Sequence, residues 1–145
     1  MAGRPGPRRI AEGLYVFHDT CNVYVLVREG SALLIDFGSG DVLESLEQTG
    51  ATRVEAICVT HHHRDQAAGL AKGRAAGIPV YVPHYEREYF TCAERFWDAR
   101  EVRNNYNTRQ DRFTVFDSIE IAGTLQDYDT LRLGPFEFTV VPTPG

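Results

Sequence analysis

Short stretches of apolar residues, each bounded by polar residues or glycine, follow one another along the first third of the chain. Residues 14–17, 22–27 and 32–35 are such stretches, and they are rich in Val, Leu, Ile and Tyr, which favour strands. The connections are short, and residues 28–30 have the composition of a tight turn. Because short connections join antiparallel neighbours, this region predicts a series of β-hairpins.

The spacing of apolar residues changes after this region. Apolar positions recur at helical spacing over residues 41–49, and Gly50 predicts the end of that helix. Residues 54–60 form a nearly unbroken apolar run, typical of a strand covered on both faces. A helix over 66–76 and a strand over 79–82 follow. This order predicts a mixed sheet with helices on its outer face and ligands beyond the carboxyl ends of its strands.

The last part of the chain predicts one long helix and a final group of strands. The helix covers residues 84–103, and its aromatic residues fall near one face. They are Tyr85, Tyr89, Phe90, Phe96 and Trp97. Helical spacing favours core packing for them over the lining of a substrate pocket. The strands are predicted at 113–116, 130–133 and 136–141, with a turn at Gly134-Pro135 between the last two.

Composition and charge argue against two classes of protein. The chain has 145 residues, 43% of them hydrophobic, so one domain with a real core is expected. The net charge of -5 argues against a nucleic-acid partner, and no apolar run approaches the roughly 20 residues that cross a membrane. Residues 1–9 predict a flexible leader without the apolar stretch of a secretory signal. Cys21, Cys58 and Cys92 are odd in number and widely spaced, which favours free thiols and the cytoplasm.

Three of the five histidines are consecutive and follow the predicted strand over 54–60. On an extended loop His61 and His63 point the same way, and Asp65 continues that alternation. Two imidazoles and a carboxylate form half of a site for Zn, with Fe or Mn as alternatives. A histidine triplet can also be a solvated loop. The position between a buried strand and a helix favours the metal site.

The run from Thr60 to Gln66, THHHRDQ, followed by Ala67-Ala68-Gly69, resembles the T-H-x-H-x-D-H-x-x-G signature of the metallo-β-lactamase superfamily. Further resemblances follow in the family's order at residues 32–38, 78–84, 129–134 and 141–145. The resemblance covers residues 10–145. It implies a mixed, α+β fold: the N-terminal half of an αβ/βα sandwich, with the C-terminal half absent from this chain.

The same resemblance implies ligand roles for four residues. His61 and His63 would bind a first metal, and Asp65 and residue 66 a second. The family's histidine is Gln66 here, and a neutral amide is a weaker ligand than imidazole. One metal is therefore expected rather than two. The alternative is that Gln66 only forms local hydrogen bonds at the start of the helix.

Three other polar residues are expected beside the metal loop. By resemblance, Asp36 would accept hydrogen bonds that support this loop, and the alternative is that it caps the following helix. His62 is expected to point away from His61 and His63. It would pack against other residues or support the two ligands, rather than bind metal directly. His84 is expected to line the pocket without binding metal.

The resemblance implies a hydrolase that uses a metal-activated water on an ester, thioester, lactone, amide or phosphoester, with Asp65 as the residue that orients or deprotonates the water. A small molecule is the expected substrate. The alternative is a non-catalytic fragment or degenerate homologue that serves as a structural half-domain. A di-iron oxidoreductase of the same fold would typically have an acidic residue at position 63. The histidine found there argues against that function.

The chain ends at Gly145, where the family's third histidine would follow. The chain alone is therefore expected to be inactive. It is also expected to pack against a C-terminal half of the same fold or a second copy, because a bare apolar sheet face favours association.

Overall fold

The computed structural model describes residues 5–95, 115 and 117–144. Seven strands form one sheet in the order β1 to β7, and β8 and β9 form a separate hairpin. The strands are β1 Arg8–Ala11, β2 Leu14–His18, β3 Asn22–Arg28, β4 Ser31–Ile35, β5 Arg53–Cys58, β6 Val80–Pro83, β7 Gly123–Leu125, β8 Thr130–Leu133 and β9 Phe136–Thr139. The α-helices are α1 Arg64–Ala67, α2 Leu70–Ala75 and α3 Arg87–Thr91, and 3-10 turns occur at Asp41–Glu44, Leu46–Thr49 and His84–Glu86.

The sheet changes direction at its centre. Strands β1 to β4 pair antiparallel, as the short connections predict, whereas β4, β5, β6 and β7 pair parallel. The mixed sheet expected from the sequence is thereby confirmed. Because β4, β5 and β6 run in the same direction, the residues that follow them meet at one edge. Asp36, Thr60 and His84 lie at that edge.

The two faces of the sheet are covered differently. One face carries the larger core, which includes Phe17, Leu34 and Ile57, and α2 packs on it through Leu70. Alternate residues of the same strands, such as Leu33 and Cys58, form a smaller cluster on the other face. The β8–β9 hairpin covers this second face through Phe136, whereas Leu26 and Ile35 are only partly buried there.

The predicted helix over 41–49 is wrong in type, because the segment forms two 3-10 turns that are interrupted at Ser45. The predicted helix over 66–76 begins earlier, at Arg64, and is broken at Gly69. The backbone amide of Gly69 donates to the Gly38 carbonyl at 2.7 Å instead of continuing the helix. A Cβ at Gly69 would lie 2.2 Å from the Ser39 carbonyl carbon, so only glycine permits this approach.

Other boundaries also differ from the predictions. Strand β1 includes Arg8 and Arg9, which the sequence assigned to the leader. Strand β5 ends at Cys58 rather than at residue 60, and β9 ends at Thr139 rather than at 141. Strand β7 was not predicted, because three residues that include a glycine give no apolar pattern.

The first part of the helix predicted over 84–103 appears as a 3-10 turn and the short helix α3, which ends at Thr91. Residues 96–103, and the strand predicted at 113–116 apart from Val115, lie outside the described residues. Within the described ranges, no helix has both the length and the apolar character needed to cross a membrane.

Candidate metal centre

The metal loop, defined here as residues 59–63, connects β5 to α1 at the carboxyl edge of the sheet. His63 is extended, with φ -60° and ψ 143°, immediately before α1 begins. His61, His63 and Asp65 each place one ligand atom within 4.8 Å of the other two. The two imidazole rings meet edge to face, with centroids 4.6 Å apart. Three of the four residues predicted as ligands are thus brought together.

The donor set fits a divalent ion. Ligand atoms of a four-coordinate zinc lie about 3.4 Å from one another, since each is about 2.1 Å from the ion. A small rotation of side chains closes the set from 4.8 Å, and Asp65 is free to rotate because it is exposed. Burial lowers the pKa of His63, and the neighbouring His61 and His62 lower it further. His63 is therefore neutral at pH 7 and available as a ligand.

A chain of hydrogen bonds orients the His61 ring. Asp36 accepts the backbone amide of Thr60 at 2.8 Å and its hydroxyl at 2.8 Å. The Thr60 oxygen lies 2.9 Å from His61 Nδ1. Because the hydroxyl donates its one proton to Asp36, Nδ1 must donate to Thr60, which leaves the lone pair on Nε2. This is the arrangement by which outer hydrogen bonds prepare a histidine for a metal.

Asp36 is buried in a left-handed backbone conformation, with φ 60°. Burial raises its pKa above the usual value, although the hydrogen bonds from Thr60 oppose this. The alternative role as a helix cap is wrong. The 3-10 turn that follows is preceded by Gly40 and has no side-chain cap.

Gln66, the fourth predicted ligand, contacts the cluster through Asp65. Its Nε2 donates to Asp65 Oδ2 at 3.1 Å, so the amide presents a proton donor to the carboxylate. Its Oε1 is shielded from solvent and has no hydrogen-bond partner among the described residues. Its backbone carbonyl accepts the amides of Phe37 and Gly38, each at 3.0 Å, which ties the start of α1 to the end of β4.

His62 faces the segment that follows β6. Its Nδ1 lies 2.9 Å from Glu86 Oε1, and its ring stacks on Tyr89 with centroids 4.3 Å apart. Glu86 was missed by the sequence analysis, although it lies three residues beyond β6 at the ligand edge. The short distance in sequence between Glu86 and the end of β6 was the one indication that it could lie near the metal loop.

Two further residues lie beside the loop. His84, at the end of β6, has its Nδ1 3.3 Å from the Thr124 hydroxyl and is not in the metal cluster. The Thr20 hydroxyl donates to the Asp65 carbonyl at 2.5 Å, so the β2–β3 turn also holds this edge. No pattern in the sequence connects Thr20 with Asp65.

Known proteins resemble this chain in sequence or in fold. The model of the metallo-beta-lactamase superfamily matches residues 17–145. The hydroxyacylglutathione hydrolase of Albidiferax ferrireducens is 42% identical over 66 residues, which make up 44% of this chain and 26% of that enzyme. The FEZ-1 metallo-β-lactamase of Legionella gormanii is 20% identical, with a TM-score of 0.73 over 100% of this chain and 55% of its own.

A metallo-β-lactamase of Cronobacter sakazakii, described by its HARLDQ motif, is 21% identical, with a TM-score of 0.68 over 97% of this chain and 56% of its own. The run HHHRDQ here shares the first and the last two letters of that motif. The chain spans between 26% and 56% of the length of these three proteins. Since the family model matches nearly the whole sequence, the chain belongs to the metallo-β-lactamase superfamily.

Proposed function

We propose that the protein is a metal-dependent hydrolase whose metal centre is built on His61, His63 and Asp65. The observation that carries this proposal is the approach of their ligand atoms to within 4.8 Å at the carboxyl edge of the sheet. A divalent ion at this position would supply Lewis-acid activation of a water molecule. Zinc suits the two imidazoles and one carboxylate best, with iron or manganese as alternatives.

Residues around the metal position would orient the water molecule and hold the ligands in place. Asp65 is exposed, so a carboxylate oxygen can orient the attacking water or take its proton. Asp36 and Thr60 hold the His61 ring in one tautomer. Thr20 holds the backbone of Asp65 from the β2–β3 turn.

We propose a small-molecule substrate with a hydrolysable acyl bond. The names of the similar proteins support this class, because they include a hydroxyacylglutathione hydrolase and β-lactamases. Within it, a thioester is the first substrate to test, because the hydroxyacylglutathione hydrolase is the most similar in sequence of the three proteins compared.

We propose that one metal ion is held tightly rather than two. The Gln66 amide donates to Asp65 and so occupies the carboxylate oxygen that a second ion would need. The amide is also neutral, and two cations about 3.5–4 Å apart require strong ligands to offset their repulsion. The HARLDQ motif of the Cronobacter sakazakii enzyme places the same Asp-Gln pair in a metallo-β-lactamase.

The second candidate function is a non-catalytic half-domain that is completed by a C-terminal half of the same fold or by a second copy. It is favoured by Gln66 and by the partly buried apolar residues on the hairpin face, such as Leu26 and Ile35. A half-domain of this kind would pack through that face, because burial of apolar surface drives association.

Zinc titration of the protein and of His61→Ala tests the leading proposal. With the C-terminal half of the fold present, we expect tight zinc binding and a loss of affinity in His61→Ala greater than the roughly 10- to 100-fold that removal of an outer hydrogen-bond partner costs. His18→Ala is the matched control, because His18 is exposed and its Nδ1 lies 2.7 Å from Asn22 Oδ1 across its own turn. Zinc-dependent thioester hydrolysis that is lost in His61→Ala would support the hydrolase. Zinc binding without hydrolysis of any acyl substrate, when the C-terminal half of the fold is present, would favour the half-domain.

A further inference from the structure

Carboxylates at the ends of the two neighbouring strands hold the metal loop from both sides. On the β4 side, Asp36 accepts both the backbone amide and the hydroxyl of Thr60. On the β6 side, the Glu86 carboxylate lies 2.9 Å from Nδ1 of the His62 ring. Each carboxylate therefore contacts one residue of the metal loop.

The contact between Glu86 and His62 is sheltered from solvent. The side chains are 25% and 18% exposed, respectively. Glu86 Oε2 is shielded and has no hydrogen-bond partner among the described residues. Loss of His62 would leave a partly desolvated carboxylate without its main partner, which is costly, so the pair favours one position of the loop.

The segment that carries Glu86 is anchored in the larger core by the helix that follows it. Phe90, on α3, is fully buried in the larger core. Tyr89 stacks on the His62 ring at an interplanar angle of 25°. The His62 ring is thus held by a hydrogen bond at its edge and by an aromatic ring on its face, both from one anchored segment.

His62 lies between the two imidazoles of the cluster, so a change in its backbone would move both of them. In an extended loop, a rotation at one residue redirects the side chains on either side of it. Metal sites require their ligands to be held within about 0.5 Å of the productive geometry. A contact that fixes residue 62 therefore acts on His61 and His63 together.

We propose that Glu86 is a positioning residue of the metal centre, which fixes the loop through His62 so that His61 and His63 converge on one ion. This inference rests on the proposed function, because it concerns the same metal. Burial raises the pKa of Glu86, but the contacts with His62 outweigh this and hold the pKa below its usual value. The carboxylate is therefore charged at neutral pH and is a strong acceptor for His62.

The first test compares the zinc affinity of Glu86→Ala with that of Glu88→Ala, measured by competition with a chromophoric chelator. Glu88 is exposed in the first turn of α3, two residues after Glu86, so its substitution removes the same charge and side chain at a position for which no contact with the loop is seen among the described residues. We expect Glu86→Ala to bind zinc roughly 10- to 100-fold more weakly and Glu88→Ala to be unchanged. Glu86→Gln, which keeps an acceptor oxygen, should fall between them. Equal affinities for the Glu86 and Glu88 variants would overturn the inference.

A double-mutant cycle with His62→Phe shows whether Glu86 acts through His62. Phenylalanine keeps a ring against Tyr89 but removes the nitrogen that bonds Glu86. We expect the Glu86→Ala substitution to cost less affinity in the His62→Phe background. An equal cost in both backgrounds would mean that Glu86 acts only as a nearby negative charge, which contradicts a positioning role.

Cobalt provides a spectroscopic measure of ligand geometry. The visible ligand-field bands of the Co²⁺-loaded protein should change in Glu86→Ala and stay the same in Glu88→Ala. Circular dichroism checks the fold, and Glu86→Gln gives the same comparison if the alanine variant is unfolded. A protein that binds neither zinc nor cobalt would refute the proposed function and the inference with it. Normal binding with no effect at Glu86 would refute the inference alone.

Discussion

The two sides of the metal loop are held by the same kind of contact in different surroundings. Asp36, on the β4 side, is buried, with 8% of its surface exposed, and connects through Thr60 to the His61 ring. Glu86, on the β6 side, has 25% of its side chain exposed and connects to His62, which is not in the ligand cluster. Burial raises the pKa of Asp36. The contacts with His62 outweigh burial at Glu86 and lower its pKa. Asp36 on the buried side therefore contributes to folding through its hydrogen bonds with Thr60, whereas Glu86 on the partly exposed side mainly adjusts the loop.

The largest expected effect is on the buried side. Asp36→Ala leaves the Thr60 amide and hydroxyl without their acceptor and places alanine in a left-handed conformation. We expect a loss of about 3 kcal/mol in the free energy of unfolding. Asp36→Asn should lose about 1 kcal/mol, because asparagine tolerates this conformation and keeps one acceptor oxygen. Urea unfolding of the metal-free protein measures both, and an alanine variant as stable as the protein would contradict the comparison.

A substitution at Gln66 is expected to have an effect of intermediate size, on the number of bound metal ions. Gln66 lies in α1, immediately after the metal loop. Gln66→His removes the amide that donates to Asp65 and supplies an imidazole. We expect elemental analysis of the dialysed protein to give about one zinc, and the variant to take up more than one, because imidazole is the stronger ligand. Two zinc ions held tightly by the unaltered protein would show that the amide does not block the second position.

The smallest expected effect is the pH dependence of the stability that Glu86 contributes on the partly exposed side. Because the folded-state pKa of Glu86 is lowered, its contribution to stability is fully present above about pH 4.5, the usual pKa, and is lost as the pH falls through the lowered value. The stability difference between the protein and Glu86→Gln should therefore be constant above that pH and shrink below it. Chemical unfolding at a series of pH values measures this. A difference that grows toward acid would contradict the assignment.

The parts of the site that follow from local sequence were predictable. His61 and His63 alternate on one short extended loop, so their convergence is a local property of the sequence. The predicted extended alternation does not continue to Asp65, which lies in the first turn of α1 and joins the cluster from there. Strands β2 to β6 of the mixed sheet were predictable for the same reason, since alternation and apolar runs are local signals, whereas the edge strands β1 and β7 were not predicted. Asp36 was expected beside the loop by resemblance.

Contacts between distant parts of the chain were not predictable in this way. Glu86 meets His62 only because β6 lies next to β5 and a 3-10 turn starts immediately after β6. The break in the predicted helix over 66–76 arises because Gly69 packs against the backbone of residues 38–40. Neither contact leaves a pattern in the apolar positions of its own segment.

The most direct test of the metal centre is X-ray absorption spectroscopy of the zinc-loaded protein. We expect two imidazole nitrogens at about 2.0–2.1 Å from the zinc ion and oxygen donors in the remaining positions. His63→Ala should lose one of the two imidazoles, whereas His84→Ala should keep both, because His84 bonds Thr124 outside the cluster. A zinc shell with fewer than two imidazoles, or one that His63→Ala leaves unchanged, would contradict the assignment of His61 and His63 as ligands.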